Sequence, residues 1–156
     1  MPQSVQVKGS DQVVVTDYES ERKERKNYEF TQVYGPNATQ EDVFRDTESL
    51  MTSVLDGYNT CIFAYGQTGA GKTYTLANDK TGQEGVMIQA FNYIFSTMAE
   101  ERELKYEVQI SYQQIYLNSI TDLLNPSGNV DLREDPKSGV YVDGAKWQPV
   151  DSAAGA

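Results

Sequence analysis

The sequence predicts an α/β fold in which a glycine-rich loop joins a strand to a helix. Residues 61–65 are apolar and rich in strand-forming side chains, and residues 66–73 read GQTGAGKT, which fits the phosphate-loop pattern G-x-x-x-x-G-K-[ST]. Tyr74 begins a segment that can continue as a helix. Strand, glycine loop and helix in this order form the arrangement that such a loop requires, because the loop amides and the start of the helix then face the same anion.

Short strands are predicted ahead of this unit, where apolar residues alternate or are β-branched. They lie at 5–7, 13–15 and 28–33. The Lys-Gly-Ser-Asp sequence at 8–11 predicts a turn between the first two strands, and Gly-Pro-Asn at 35–37 predicts another. The charged run at 17–27 is interpreted as a solvated loop or helix face, and a binding surface is the alternative.

An amphipathic helix is predicted from Thr39 to Asp56. Thr39 is a suitable N-cap, and Asp42 falls three residues later, close to the capping-box pattern. Apolar residues recur at spacings of three and four, which places them on one helix face. They are Val43, Phe44, Leu50, Met51, Val54 and Leu55. Gly57 follows as a termination signal.

The second half of the sequence is predicted to combine one helix with short strands. A polar loop at 78–85 leads into a helix at 86–100. The remaining predicted elements are a strand at 106–116, a short helical turn or strand at 120–124, a hairpin formed by 130–133 and 139–142, and a last strand at 147–150.

The composition restricts the classes of function. The chain has 156 residues, which is enough for one domain at most. Its formal net charge of −10 disfavours nonspecific binding to nucleic acid or acidic membranes. Histidine-based catalysis and histidine metal sites are excluded, because the sequence contains no histidine. The single cysteine, Cys61, cannot form an intrachain disulfide. We expect it to be a buried apolar residue of strand 61–65, with a reactive thiol as the alternative.

Residues 66–73 carry the most specific chemical signal. Glycines at 66, 69 and 71 allow positive φ angles and a close approach of the main chain to an anion, so that successive N–H groups face one concavity. Lys72 would direct a positive charge at the outer phosphates, and Thr73 would offer a hydroxyl to Mg²⁺, which takes few protein ligands. The alternative is a flexible loop without a ligand, and the strand and helix predicted on either side argue against it.

Several stretches together resemble the motor domain of kinesins. They are residues 57–59 with 62–75, residues 111–116 with 122–124, and residues 132–142. The first looks like the phosphate-loop segment of that family, and the second is similar to the family's S-(Y/F)-x-E-I-Y followed by D-L-L, with Gln114 in place of the glutamate. The third resembles the hairpin that follows. The resemblance runs from about Tyr28 to Val150, nearly the whole chain.

The resemblance implies a P-loop NTPase-type fold with a mixed, mostly parallel sheet and helices on both faces. It implies ATP hydrolysis coupled to movement along microtubules, in the cytoplasm and on the cytoskeleton, with tubulin as the partner and neither nucleic acid nor membrane. The residues implied to bind ATP are Gly66, Gln67, Thr68, Gly69, Ala70, Gly71, Lys72, Thr73 and Tyr74. Thr73 is implied to bind Mg²⁺ and Tyr74 to contact the adenine. The alternative for Tyr74 is a core or surface tyrosine that touches no ligand.

The sequence departs from the family pattern in segments that serve catalysis. It contains neither N-x-x-S-S-R-S-H nor D-L-A-G-S-E nor R-x-R-P, and Met87-Ile88-Gln89 stands in place of I-P-R. Because phosphoryl transfer needs groups that position water and sense the γ-phosphate, no catalytic residue is assigned. We therefore expect residues 1–156 to be the phosphate-loop part of a motor domain, a fragment or truncated gene product. Alone it would be marginally folded, because strand 61–65 would have two unpaired edges.

Two other functions stay open. One is a kinesin-like module that binds nucleotide without hydrolysing it, and microtubule-stimulated phosphate release would distinguish a motor from it. The other is an unrelated phosphate-loop enzyme, such as a small-molecule kinase. That function is disfavoured because the strand at 106–116 does not end in the aspartate that a Walker B segment would supply.

The resemblance to kinesins implies that a microtubule contact would fall around the predicted hairpin, near 130–150. The basic residues there are Arg133, Lys137 and Lys146, and acidic residues surround them. Because tubulin is acidic, this local charge balance is unfavourable for contact. Ordinary solvated charges are the alternative.

Overall fold

The first of two compact units, Met1–Ala90, starts with an antiparallel three-stranded sheet. The computed structural model describes residues 4–18, 24–137 and 139–156. The strands are β1 (Val5–Lys8), β2 (Gln12–Thr16) and β3 (Arg25–Glu29). Val14 of β2 is buried. The first two strands and their turn are confirmed, whereas the third begins inside the charged run and ends earlier than predicted. Residues 19–23 of that run lie outside the described residues.

Helix α1 (Gln40–Leu55) confirms the prediction made from its caps and its apolar spacing. The Thr39 side chain accepts a hydrogen bond from the main-chain N–H of Asp42, and the Asp42 carboxylate accepts one from the main-chain N–H of Thr39. These reciprocal bonds satisfy two N–H groups that would otherwise have no partner at the helix start. Gly57 follows with φ of 93°, a conformation that glycine adopts without a steric penalty.

The prediction of a strand at 61–65 is wrong. Residues 58–66 belong to no helix or strand. The aromatic side chains among them are exposed, with Phe63 at 79% and Tyr65 at 95% of full exposure. Cys61 is exposed as well, which corrects the expectation that it is buried. The physical reason is the same for both errors: a strand exists only through hydrogen bonds to a neighbour, and no other described strand pairs with this segment.

Two helices follow the glycine loop. They are α2 (Lys72–Ala77) and α3 (Val86–Glu100). The loop between them closes on itself, because Gly85 donates its main-chain N–H to the carbonyl oxygen of Asn78 at 2.8 Å. Gly85 also lies so close to the Leu76 main chain that a Cβ atom would sit 2.5 Å from it. None of the helices in the described ranges is long and apolar enough to cross a membrane.

The second unit, Phe91–Ala156, contains three two-stranded antiparallel sheets among its described residues. The pairs are β4 (Val108–Ile110) with β9 (Gln148–Val150), β5 (Gln113–Tyr116) with β6 (Ser119–Asp122), and β7 (Asp131–Asp135) with β8 (Gly139–Asp143). The predicted long strand at 106–116 is therefore two strands with different partners. The predicted hairpin and the last strand are confirmed.

The expected mostly parallel sheet is not observed among the described residues. Each pairing there is antiparallel, and the sheets contain two or three strands. Hairpins bring sequence neighbours together in antiparallel order, whereas parallel pairs need a long crossover connection. The segment at 61–65, which was predicted to be a strand, has no partner in these ranges.

Candidate functional site

The three glycines of the loop at 66–73 have the positive φ angles that glycine was expected to allow. Gly69 and Gly71 have φ angles of 83° and 92°, which a residue with a Cβ atom adopts only with strain. Ala70 donates its N–H to the carbonyl oxygen of Gln67 at 3.1 Å, so the middle of the loop forms a tight turn. Gly71 is also the N-cap of α2, and its carbonyl oxygen accepts the first helical hydrogen bond, from the N–H of Thr75 at 2.9 Å.

The Lys72 side chain turns back onto the loop that precedes it. Its Nζ atom lies 2.8 Å from the carbonyl oxygen of Gly66 and 2.8 Å from that of Gln67. An ammonium group has three N–H donors, so one donor is left for an anion while two hold the loop. This arrangement places a positive charge inside the curve of the loop.

A depression of about 360 Å³ opens beside the loop. Its lining residues are Thr68, Gly69, Gly71, Lys72, Thr73 and Tyr74. Six of the nine predicted ATP-binding residues are thus brought together around one space, and Gly66, Gln67 and Ala70 are not part of its lining. The volume falls within the range of small-molecule sites, which is roughly 300 to 1,000 Å³.

The donor set of this depression fits a nucleotide triphosphate with Mg²⁺. Glycines with positive φ expose main-chain N–H groups, and Lys72 supplies the positive charge that phosphate oxygens need. Thr73 is exposed at the same opening and offers one hydroxyl. A single hydroxyl is an adequate protein contribution for Mg²⁺, which otherwise keeps water and phosphate oxygens as ligands. No cluster of three or more metal-ligating side chains was found in the described part of the chain.

Tyr74 is 52% exposed, so it is not a core residue. Its ring lies on the surface next to the loop. Its main-chain carbonyl has a different role, because the side-chain amide of Gln40 donates a hydrogen bond to it.

Gln40 contacts the helix that follows the loop, and the sequence patterns did not indicate this contact. It is the first residue of α1 and is only 7% exposed. Gln89 of α3 lies beside it and donates its amide N–H to the carbonyl oxygens of Gln40, at 3.4 Å, and of Glu84, at 2.7 Å. Apolar periodicity cannot identify such residues. The nearest sequence signal is a polar side chain directly after a helix N-cap.

Titratable groups with shifted pKa values lie outside the loop and have structural explanations. Burial, together with a 2.6 Å hydrogen bond to Asp46, raises the pKa of Tyr34 to about 12. The main-chain N–H of Thr39 holds the pKa of Asp42 below its ordinary value. The main-chain N–H of Lys146 does the same for Asp122. Burial and a tertiary hydrogen bond explain the pKa shift of Tyr34, and main-chain hydrogen bonds explain those of Asp42 and Asp122.

One of the three basic residues considered for microtubule contact, Arg133, forms an ion pair within its own hairpin. Arg133 of β7 lies 3.0 Å from the Asp143 carboxylate of β8, and both side chains are about half exposed, at 58% and 43%. The charge of Arg133 is therefore already compensated. The hairpin also exposes apolar side chains, namely Leu132, Val140 and Tyr141.

Comparison with known proteins gives consistent matches over the chain. The family model described as "Kinesin motor domain" matches residues 2–156. Kinesin-like protein KIN-14Q of Oryza sativa subsp. japonica is 42% identical over 135 residues, which cover 83% of this chain and 14% of that protein. Human kinesin-like protein KIF18B is 44% identical over 126 residues, which cover 80% of this chain and 15% of that protein.

A solved structure of a fast kinesin has the same fold. It superposes with a TM-score of 0.88 at 32% identity, over 97% of this chain and 43% of the solved chain. The chain thus spans less than half of that solved structure and about one seventh of the length of the curated relatives, which are matched over 14% and 15% of their length. Because the family match extends over almost every residue, the chain belongs to the kinesin motor domain family.

Proposed function

We propose that this chain provides the ATP-binding part of a microtubule-based kinesin motor. The observation that carries the proposal is the Lys72 ammonium held inside the glycine loop, at the mouth of a depression that the loop and the start of α2 line. That arrangement provides main-chain N–H donors, a positive charge and a hydroxyl at one opening, which is the donor set that a phosphate chain with Mg²⁺ requires.

The proposed roles follow from the position of each side chain. Main-chain N–H groups of 66–73 hold the phosphates, and Lys72 directs its remaining donor at the outer ones. Thr73 would offer its hydroxyl to Mg²⁺, which when bound would supply positive charge to offset the charge of the phosphates. The exposed ring of Tyr74 stacks against the adenine, since an aromatic face at the edge of the depression suits a flat base.

The motor function itself is proposed from family membership. Kinesin-like relatives and the structure of a fast kinesin, which was analysed for its ATPase mechanism and its interactions with microtubules, match this chain over part of their length. We accordingly propose that residues 1–156 form the phosphate-loop portion of a motor domain. In that domain the segment 61–65 would lie in a mostly parallel sheet, and the protein would act on cytoplasmic microtubules.

The nucleotide proposal is tested by titrating the chain with MgATP. Lys72→Ala should weaken binding by about ten- to a hundredfold, because hydrogen bonds from a charged group contribute roughly 1.5–3 kcal/mol. Lys80→Ala is the matched control, since Lys80 is an exposed lysine of the loop after α2. Absence of MgATP binding by the unmodified chain, or equal binding by Lys72→Ala, would contradict the proposal.

A second measurement separates a motor from a nucleotide-binding module. Phosphate release is followed with and without polymerised tubulin. A motor gives release that increases with microtubule concentration, whereas a module without turnover binds MgATP and releases no phosphate under either condition.

A further inference from the structure

Helix α2 carries Lys72 and Thr73 but has little to hold it in place. It is six residues long, begins without a side-chain cap, and contains no buried residue. Helices this short are not stable in isolation, because the cost of ordering the first turn is not recovered by so few hydrogen bonds. Contacts from other parts of the chain must therefore set the position of α2.

The side chain of Gln40 makes such a contact. Its amide nitrogen donates a hydrogen bond to the carbonyl oxygen of Tyr74, 34 residues away in sequence. Tyr74 is among the last four residues of α2, whose carbonyl groups lack an N–H partner within the helix. The amide of Gln40 thus completes a hydrogen bond that α2 cannot make by itself.

Gln40 is well placed to fix the position of a neighbour. It is almost fully buried and directly follows the capped N-terminus of α1, a helix of 16 residues. The amide of Gln89 donates to its main-chain carbonyl and also to that of Glu84, in the loop that follows α2. The start of a long helix is in this way joined to the short helix behind the phosphate loop.

We infer that Gln40 is a positioning residue for nucleotide binding, which acts by fixing the helix that presents Lys72 and Thr73 to the phosphates. This inference rests on the proposed ATP-binding function. Gln40 itself does not line the depression beside the loop, so its effect on the ligand passes through the carbonyl of Tyr74. What matters in this role is the N–H donor at the end of the side chain.

The test compares two variants that remove this donor. Gln40→Met keeps the length of the side chain without a polar group, and Gln40→Glu keeps its shape but presents only acceptors when ionised. Near neutral pH, both should bind MgATP about fivefold more weakly than the unmodified chain, the effect of one net hydrogen bond. Gln114→Met, at an exposed position of β5, should bind like the unmodified chain.

A pH series distinguishes positioning from general loosening of the structure. As the pH falls towards about 5, the Gln40→Glu carboxyl takes up a proton, helped by its buried position, and regains an O–H donor for the Tyr74 carbonyl. Its affinity relative to the unmodified chain should then recover, while the ratio for Gln40→Met stays constant. If the relative MgATP affinities of Gln40→Glu and Gln40→Met change with pH in the same way, the inference is overturned.

Hydrogen exchange of the α2 amides without nucleotide provides a readout that does not depend on binding. Exchange should be about fivefold faster in Gln40→Met at α2 and unchanged in the β7–β8 hairpin. If the unmodified chain binds MgATP and the Gln40 variants match it in affinity and exchange, only the inference fails. If the unmodified chain does not bind MgATP at all, the proposed function fails together with the positioning role.

Discussion

The Nζ atom of Lys72 lies 2.8 Å from the carbonyl oxygen of Gly66, so the charged end of the side chain closes the loop on its first residue. The same atom is bonded to the carbonyl of Gln67. A phosphate bound in the loop, as proposed, would meet an ammonium group that is already held in place, with part of its donor capacity in use. The length and the tetrahedral donor geometry of lysine both matter for this arrangement.

Lys72→Arg is predicted to weaken MgATP binding by about tenfold even though it keeps the charge. The guanidinium group is larger and planar, and its fixed fork of donors cannot point at two successive carbonyls and a phosphate as an ammonium does. Lys80→Arg, in an exposed loop, is the control. The measurement is a MgATP titration of both variants. Equal affinity of Lys72→Arg and the unmodified chain would show that charge alone is needed at this position.

Gly69→Ala is predicted to destabilise the chain by about 1 kcal/mol, because φ of 83° is strained for a residue with a Cβ atom. Space does not contribute, since a Cβ atom at Gly69 would meet no atom within 4 Å. Gly35→Ala is a matched control: its Cβ would also meet nothing within 4 Å, and its φ is not in the left-handed range. Urea denaturation of both variants measures the difference. If the urea midpoints of Gly69→Ala and Gly35→Ala are equal, the loop relaxes to accommodate alanine at position 69.

Thr39→Ala should lower the free energy of unfolding by about 1 kcal/mol, the usual effect of losing a side-chain N-cap. The variant removes the hydroxyl that accepts the N–H of Asp42 at 3.2 Å. Thr60→Ala, at an exposed position outside any helix or strand, controls for the change of residue type. Thermal unfolding followed by helix-sensitive circular dichroism is the measurement. If the variant and the unmodified chain have the same melting temperature, the Asp42 carboxylate is sufficient to cap α1.

The fold predictions that succeeded concern elements whose stabilising contacts lie close together in the sequence. Those that failed concern elements that depend on distant residues. Helix α1 was predictable because its cap and its apolar face lie within one stretch of sequence. The hairpin of β7 and β8 was predictable because a turn signal separates two neighbouring strands. A strand at 61–65 depends instead on partners elsewhere in the chain, and apolar residues alone do not supply them. For the same reason, sequence alternation could not show that β4 and β5 have different partners.

The sequence predicts the residues of the candidate phosphate loop but not the contacts that hold the helix behind it. The glycines, Lys72 and Thr73 are specified by a short contiguous pattern, because main-chain geometry and a single charge form the phosphate loop. Gln40 donates a hydrogen bond to a residue 34 positions away, and no periodicity or spacing rule connects the two. Polar tertiary contacts of this kind become visible only when the chain is folded.

Stability of the second unit is predicted to fall in acid through Asp122. Its side chain is 1% exposed and accepts main-chain N–H groups of Lys146 at 2.7 Å and Leu124 at 2.8 Å. These bonds, that of Lys146 above all, lower the pKa of Asp122 below its ordinary value of 3.8. A lowered pKa in the folded state means that the carboxylate contributes stability above the unfolded-state pKa. That contribution is lost as the pH falls through the folded-state pKa.

Asp122→Asn should remove this dependence. The amide keeps the shape of the carboxyl group but cannot ionise, and its NH₂ group meets N–H donors, so the variant should be destabilised at neutral pH and respond less to acid. Asp131→Asn, at an exposed position of β7, should respond like the unmodified chain. Fluorescence of Trp147, the only tryptophan of the chain, follows urea unfolding next to the Lys146 contact. If Asp122→Asn and the unmodified chain lose stability in parallel between about pH 6 and about pH 2, the acid sensitivity arises from other carboxylates.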